Sequence, residues 1–152
     1  MYPNLFPQPT LHELDKYASE LELAIEAHAK CMAQLNRSLI WRLPPLENDI
    51  SAQPDHLCKF GRWYHSIDNQ ELTTLQSFIA IDPAHQQMHL AAKKILLKSK
   101  NNEEWAAGDY DEMIALAETL RLRVGDLLHE LNENRHTISR LMSTVFENSK
   151  EG

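Results

Sequence analysis

From position 11 to position 39 the chain repeats an apolar or small residue at steps of three and four: Leu11, Leu14, Ala18, Leu21, Ile25, Met32, Leu35 and Leu39. Those steps gather the side chains on one face of an α-helix, so this stretch must bury one side along its whole length. One place in the series is neither apolar nor small, and it holds His28. Thr10-Leu11-His12-Glu13 fits a capping box at the start. Pro44-Pro45 ends the helix, because proline lacks an amide donor and disfavours a helical residue before it. A second series runs Met113, Ala117, Leu120, Val124, Leu127, Leu131, Asn134, Ile138, Leu141 and Val145. Asp109 with Glu112 three residues on is its predicted opening.

The stretch between is broken. Residues 44–54 hold three of the seven prolines and read as a loop. Asp55 is placed to cap a short helix carrying Leu57, Cys58, Phe60 and Trp63, and Glu71 to Ile79 reads as another short amphipathic piece. Asp82-Pro83 predicts a helix start, with a cap followed by proline. That helix runs through His85, His89, Ala92 and Leu96 and fades at Asn101-Asn102. At 1.5 Å per residue, residues 109–145 would span about 55 Å, against about 27 Å for residues 83–100. The shorter helix cannot cover the longer. Ile114, Leu122, Leu128 and Met142 also lie off the last helix's seam, widening its apolar face. Nothing alternates with period two and no internal repeat is present. The expectation is an all-α, antiparallel four-helix-type bundle with a short Cys-bearing helix, assembled as a homodimer.

Composition removes several function classes. The 152 residues carry a net charge of −7, which argues against nucleic acid as a partner. Lys93, Lys94, Lys98 and Lys100 are the one basic cluster and read as a solvated helix face. The 4 glycines are scattered, so neither a phosphate-binding glycine loop nor a dinucleotide fingerprint is present. Met1 to Pro9 lacks the basic and apolar regions of a signal peptide, and no apolar run approaches a membrane span. A cytoplasmic location is expected, with Cys31 and Cys58 both reduced.

His85-Gln86-Gln87-Met88-His89 sets two imidazoles four residues apart on one helix face, within reach of a single metal ion. They share a stripe with Ala92 and Leu96 and therefore face inward. His28 faces inward from the first helix, and Cys58 sits in a short helix with its own apolar face. Buried imidazoles need a partner for each ring nitrogen, and a shared metal supplies one. Taken singly, His28 also reads as a core histidine bonded to a carbonyl, and Cys58 as a small buried hydrophobe. Hydrolytic zinc chemistry is disfavoured, since Gln86 stands where a zinc protease places its general base. A di-iron centre is disfavoured too, for want of carboxylates on the seam. His12, His56, His65, His129 and His136 read as solvated, although His56 and His65 flank the Cys58 segment and could substitute as ligands.

Cys58-Lys59-Phe60-Gly61-Arg62-Trp63-Tyr64 resembles the signature of the bacterial chemoreceptor zinc-binding domain. That family's pattern is a histidine in the first helix, then Cys-x-(Leu/Phe)-Gly-x-Trp-(Leu/Tyr), then His-x-x-x-His. Here His28, the heptapeptide, and His85 with His89 follow in that order across residues 10–145. The resemblance implies a homodimeric helical bundle. It implies one Zn2+ held by His28, Cys58, His85 and His89, and a regulatory rather than enzymatic role toward an attached chemoreceptor or diguanylate cyclase output. Three nitrogens and one thiolate would make a closed tetrahedral zinc site. One departure stands out: where the family has tryptophan three residues after the first histidine, this chain has Cys31.

Residues 146–152, Phe146 to Gly152, resemble the lead-in to a PAS domain. Two readings of function follow from the resemblance. One is a sensory input domain that acts on its output through zinc occupancy or Cys58 oxidation, as by hypochlorous acid; the other is a constitutive dimerisation module whose zinc is purely structural.

Overall fold

The computed structural model describes residues 11–151. The side chains of Leu11, Met142 and residues 145–151 lie outside that description, as do Thr10 with its expected capping box and Gly152. Every regular element among the described residues is helical. The long ones are α1 (Leu11–Trp41), α6 (Ile81–Lys100) and α7 (Ala107–Glu151). Between α1 and α6 lie a 3-10 turn (Glu47–Ile50) and four short helices: α2 (Pro54–Leu57), α3 (Lys59–Ser66), α4 (Gln70–Thr73) and α5 (Gln76–Ile79). The architecture is an all-α fold in which α1, the α2–α5 segment, α6 and α7 make up the layers. Helix α7 runs antiparallel to both other long helices. Its first turns meet the end of α1 through Tyr110 Oη donating to Asn36 Oδ1, and its later turns meet the start of α1 through Arg135 and Asp15. Lys94 and Lys98 of α6 both reach Asp109 at the start of α7.

The apolar seams place the core. Leu14, Ala18, Leu21, Leu35 and Leu39 of α1 are buried, as are Met113, Leu120, Val124, Leu127, Leu131 and Ile138 of α7. The core forms two clusters. The larger joins Leu14, Leu21, Phe60, Tyr64, Ile81, Met88, Val124 and Leu127, among others. The smaller, toward the other end, joins Leu35, Leu39, Ala92, Ile95, Leu96 and Met113. Off the seam, Ile114 and Leu122 are exposed, in line with an apolar surface wider than α1 and α6 cover.

Several element boundaries differ from the sequence expectation, each for a local reason. Helix α1 stops at Trp41, before the prolines: Arg42 turns left-handed at φ 52° and Leu43 N–H donates back to Ser38 O at 2.9 Å. This is a Schellman-type stop. Helix α6 ends the same way, with Asn102 at φ 56° and Glu103 N–H donating to Lys98 O at 2.8 Å. Asp82-Pro83 does not open α6; the chain passes from α5 through Ala80 into Ile81 with no side-chain cap. Helix α7 begins at Ala107, ahead of Asp109, and Glu71 to Ile79 divides into α4 and α5.

The largest correction concerns Asp55. It does not cap the cysteine helix but lies inside α2, and the cap of α3 is Cys58 itself, at φ −72° and ψ 156°. The Cys58 sulfur accepts the Gly61 N–H at 3.2 Å, the place a serine or aspartate oxygen usually takes. The bend at Cys58 folds α3 back so closely that a Cβ on Gly61 would lie 1.6 Å from Asp55 O and 3.3 Å from His85 Cε1. No glycine conformation is at issue; the space is missing. Gly61→Ala should therefore cost at least about 2 kcal/mol of stability, as overpacking against backbone does. Gly108→Ala, with nothing within 4 Å, should change stability by no more than about 0.5 kcal/mol. Urea unfolding of the two variants checks the contrast.

Candidate metal centre

Four donors arrive from three separate parts of the chain. His28 projects from the middle of α1, Cys58 stands at the bend between α2 and α3, and His85 and His89 lie one turn apart on α6. Two anchoring bonds hold α3 in place. Trp63 Nε1 donates to Glu20 Oε2 of α1 at 3.1 Å, and Tyr64 Oη donates to Phe78 O of α5 at 2.7 Å. Phe60, 2% exposed, packs its ring against His28 and His85, with centroids 5.8 and 5.0 Å apart. The heptapeptide thus supplies a donor, an apolar wall, a close approach and two tethers.

The three imidazoles converge. One ring nitrogen from each of His28, His85 and His89 lies within 4.8 Å of the other two. His89 Nε2 and His85 Nε2 are 3.0 Å apart, and Cys58 Sγ is 3.2 Å from His85 Nε2. Donors around one zinc ion sit about 3.3 Å from each other, given Zn–N bonds of about 2.0–2.1 Å. The His85–His89 and Cys58–His85 separations are close to that; the group whose donor atoms all lie within 4.8 Å of one another is His28, His85 and His89, with Cys58 alongside it at His85. His85 and His89 are 1% and 2% exposed. Among the described residues, His28 Nε2 is the buried side-chain polar atom left without a hydrogen-bond partner. A buried nitrogen costs desolvation free energy if nothing replaces its water. The carbonyl-bonded core histidine, the alternative open at position 28, does not match that nitrogen.

Burial also sets the protonation states. It lowers His28 and His89 to about 4 each, and it lowers His85 to about 2 with help from the neighbouring His89 and His28. All three rings therefore present lone pairs at neutral pH. Burial raises the Cys58 thiol, opposed by the N–H groups of Gly61 and Phe60. The helix end alone does not make a thiolate here, contrary to what a cysteine in a first turn suggests; a cation is needed. Cys31, pushed up to about 11 by burial, then by Asp49 and Cys58, is a poor nucleophile. It lines, with His28, Asp49 and Cys58, a cleft of about 570 Å³ that opens the donors to solvent.

The donor set fits a borderline transition ion such as zinc: three neutral imidazoles, one potential thiolate, an orphaned nitrogen and a path of entry. Of the residues found here, Asp55 was missed as a contributor; its backbone carbonyl lies 3.6 Å from Cys58 Sγ. No sequence pattern marks a carbonyl for that role. His12, His129 and His136 are exposed, as read from the sequence.

The arrangement is an all-helical domain with a His/Cys group that could hold a metal ion. Residues 28–96, which carry all four donors, match the family model of the chemoreceptor zinc-binding (CZB) domain. A curated relative is the diguanylate cyclase DgcZ of Escherichia coli (strain K12), 28% identical over 102 residues, covering 65% of this chain and 33% of DgcZ. The chain thus spans about a third of the length of the curated relative it matches. The solved regulatory CZB domain of DgcZ is similar with a TM-score of 0.65 and 25% identity, over 78% of this chain and 98% of that one.

The lowered imidazole pKa values fix a sign for pH dependence. The unfolded chain takes protons near pH 6.5, the ordinary histidine value, while the folded one resists to about 4 or below. The unfolded state then binds more protons in that window, so stability falls as pH falls through it. Metal-free protein should lose at least about 2 kcal/mol between pH 7 and pH 5. Urea midpoints across that range measure it, and an unchanged midpoint would contradict the neutral-ring assignment.

Proposed function

We propose that this chain is a zinc-binding regulatory domain, in which His28, Cys58, His85 and His89 hold one zinc ion. Its occupancy sets the packing of α1, α3 and α6 against α7, and so biases an attached signalling output. The observation that carries this reading is the buried, partnerless Nε2 of His28, on a ring whose centroid lies 5.4 and 5.7 Å from those of His85 and His89. Bound zinc would supply the positive charge that turns the Cys58 thiol into a thiolate. The chain's own residues do the rest: Phe60 keeps one side dry, Gly61 allows α3 its approach, and the Trp63 tether ties α3 to α1. The domain is regulatory and not itself catalytic, in keeping with its likeness to the solved regulatory CZB domain of DgcZ. The output proposed is a cyclic-di-GMP or chemotaxis module joined through a PAS domain after residue 146, in the cytoplasm. No described helix is long and apolar enough to cross a membrane.

Zinc occupancy is favoured over Cys58 oxidation as the signal, because burial leaves the metal-free thiol protonated and protonated thiols react slowly. The cleft beside His28 and Cys58 favours an exchangeable ion over a purely structural one. Purified protein should contain one zinc per chain by elemental analysis at the tight site. The His85→Ala, His89→Ala double variant should lose it; a metal-replete double variant would overturn the assignment.

The homodimer is part of the same proposal. Ile25, Met32, Ala117, Leu120 and Val124 line a mainly apolar groove of about 480 Å³ between α1 and α7. Leu23 of α1 and Ile114 and Leu122 of α7 are exposed besides. A second copy applying its own α1 and α7 would cover these surfaces. Light scattering at micromolar concentration should give twice the 17.5 kDa chain mass, and Leu122→Glu should shift the species toward monomer.

A further inference from the structure

Two openings include His28 in their walls. One is the groove between α1 and α7, apolar apart from His28 and Arg121, and Arg121 is paired with Glu118. The other is the cleft of about 570 Å³ beside Cys58, bounded by α1, the 3-10 turn (Glu47–Ile50) and the start of α3. A dication has no reason to enter the first. The second carries a half-buried carboxylate. His56 and His65 lie outside that cleft: their rings stack with centroids 4.1 Å apart, and each is beside a carboxylate, Asp55 or Asp82.

The carboxylate in the cleft is Asp49. Ile50, the next residue, packs against the smaller core cluster, and Asp49 N–H donates to Leu46 O at 3.0 Å, so the turn is fixed. Asp49 is thereby held half-buried in the wall that also contains His28, Cys31 and Cys58. Burial raises both thiols, and the Asp49 charge raises them further. Among the described residues the Asp49 side chain makes no hydrogen bond and no ion pair. The cations of the cleft do not serve it. Lys30 pairs with Glu26 at 3.6 Å, while Lys59 and Arg62 are exposed and pair with no described carboxylate. A partly desolvated carboxylate with no partner is costly unless a cation visits it.

We propose that Asp49 is the transfer ligand of the metal centre: it takes a divalent ion from water in the cleft, passes it to Cys58 and His28, and receives it again on release. The proposal rests on the quartet put forward above. A carboxylate oxygen binds zinc at about 2.0–2.2 Å and, unlike a thiol, ordinarily carries its charge at neutral pH. Each hand-over exchanges one ligand. A metal-bound water or the Asp49 oxygen leaves as Cys58 or His28 binds, and the Cys58 proton passes to water in the cleft. Lys59 and Arg62 repel a bare dication at long range, so Asp49 acts by contact and not by steering. A ligand that holds the ion between solvent and the final site lowers the barrier in both directions. Removing it should slow binding and release together and leave affinity almost unchanged. A carboxylate that only stabilised the bound ion through space would behave differently: its loss would weaken affinity and quicken release.

The test uses the whole chain and cobalt(II), followed by stopped flow through the charge-transfer band of the Cys58 thiolate. Release is started with excess chelator and extrapolated to zero chelator. Asp49→Asn, which keeps the side chain's shape, should slow both rates at least tenfold while the dissociation constant moves less than threefold. Asp49→Glu should recover most of both rates, and all forms should still take one zinc per chain by elemental analysis. Binding and release that do not slow together in Asp49→Asn would overturn the transfer role and leave the quartet standing. A cobalt-loaded wild type with no thiolate band would instead overturn the quartet, and the transfer role with it.

Discussion

The structure depends on the burial of a layer of polar donors that interrupts the apolar core. Along α1 the larger cluster includes Leu21 and Ala24 and the smaller one starts at Leu35, with His28 between. Along α6, His85 and His89 flank Met88 just before Ala92 opens the smaller cluster. Such a layer is tolerable only if each nitrogen is satisfied, because desolvating an unpaired polar group costs about 1–3 kcal/mol. The fold therefore places the strictest geometric demands there. Cys58 must bend the chain, Gly61 must lack a side chain, and Phe60 must close the wall. A core that was apolar throughout would need none of these.

The same short stretch faces two ways. Between Pro54 and Ser66, Cys58, Phe60 and Gly61 turn toward the inner layer, while His56 and His65 turn outward. Helix α3 alone is too short to be stable in water. Its order comes from the Trp63 and Tyr64 tethers to α1 and α5. Whatever alters the inner donors acts on a segment held by few bonds. Helices α6 and α7, by contrast, pack along most of their shared length.

The long elements were legible in the sequence because each buries one stripe, and a stripe of step three or four has one structural solution. Leu14 to Leu39 and Met113 to Ile138 lie in the core as their spacing requires. Inward placement of His85 and His89 followed from the same stripe. The ends of helices were less legible. Pro44-Pro45 is a conspicuous stop, yet the hydrogen bond from Leu43 to Ser38 ends α1 first, at an arginine whose sequence gives no warning of a left-handed turn. Asn102 gives some, since asparagine tolerates that conformation. Asp55 misled because a side-chain oxygen before a helix usually caps it. Here a sulfur does so, and the aspartate lies buried within α2.

Helix α7 continues for about 24 Å past Arg135, where it pairs with Asp15 near the start of the described part of α1. It is a rod with its fulcrum in the core. Val124 and Leu127 press on the same cluster as Phe60, which walls the donors. A tilt of about 5° at that fulcrum would displace the far end of the rod by about 3 Å, enough to break or remake a side-chain contact. The leverage lies in the length of an unbroken helix. A shift too small to notice among the imidazoles is thereby magnified into one that a neighbour at the far end would feel.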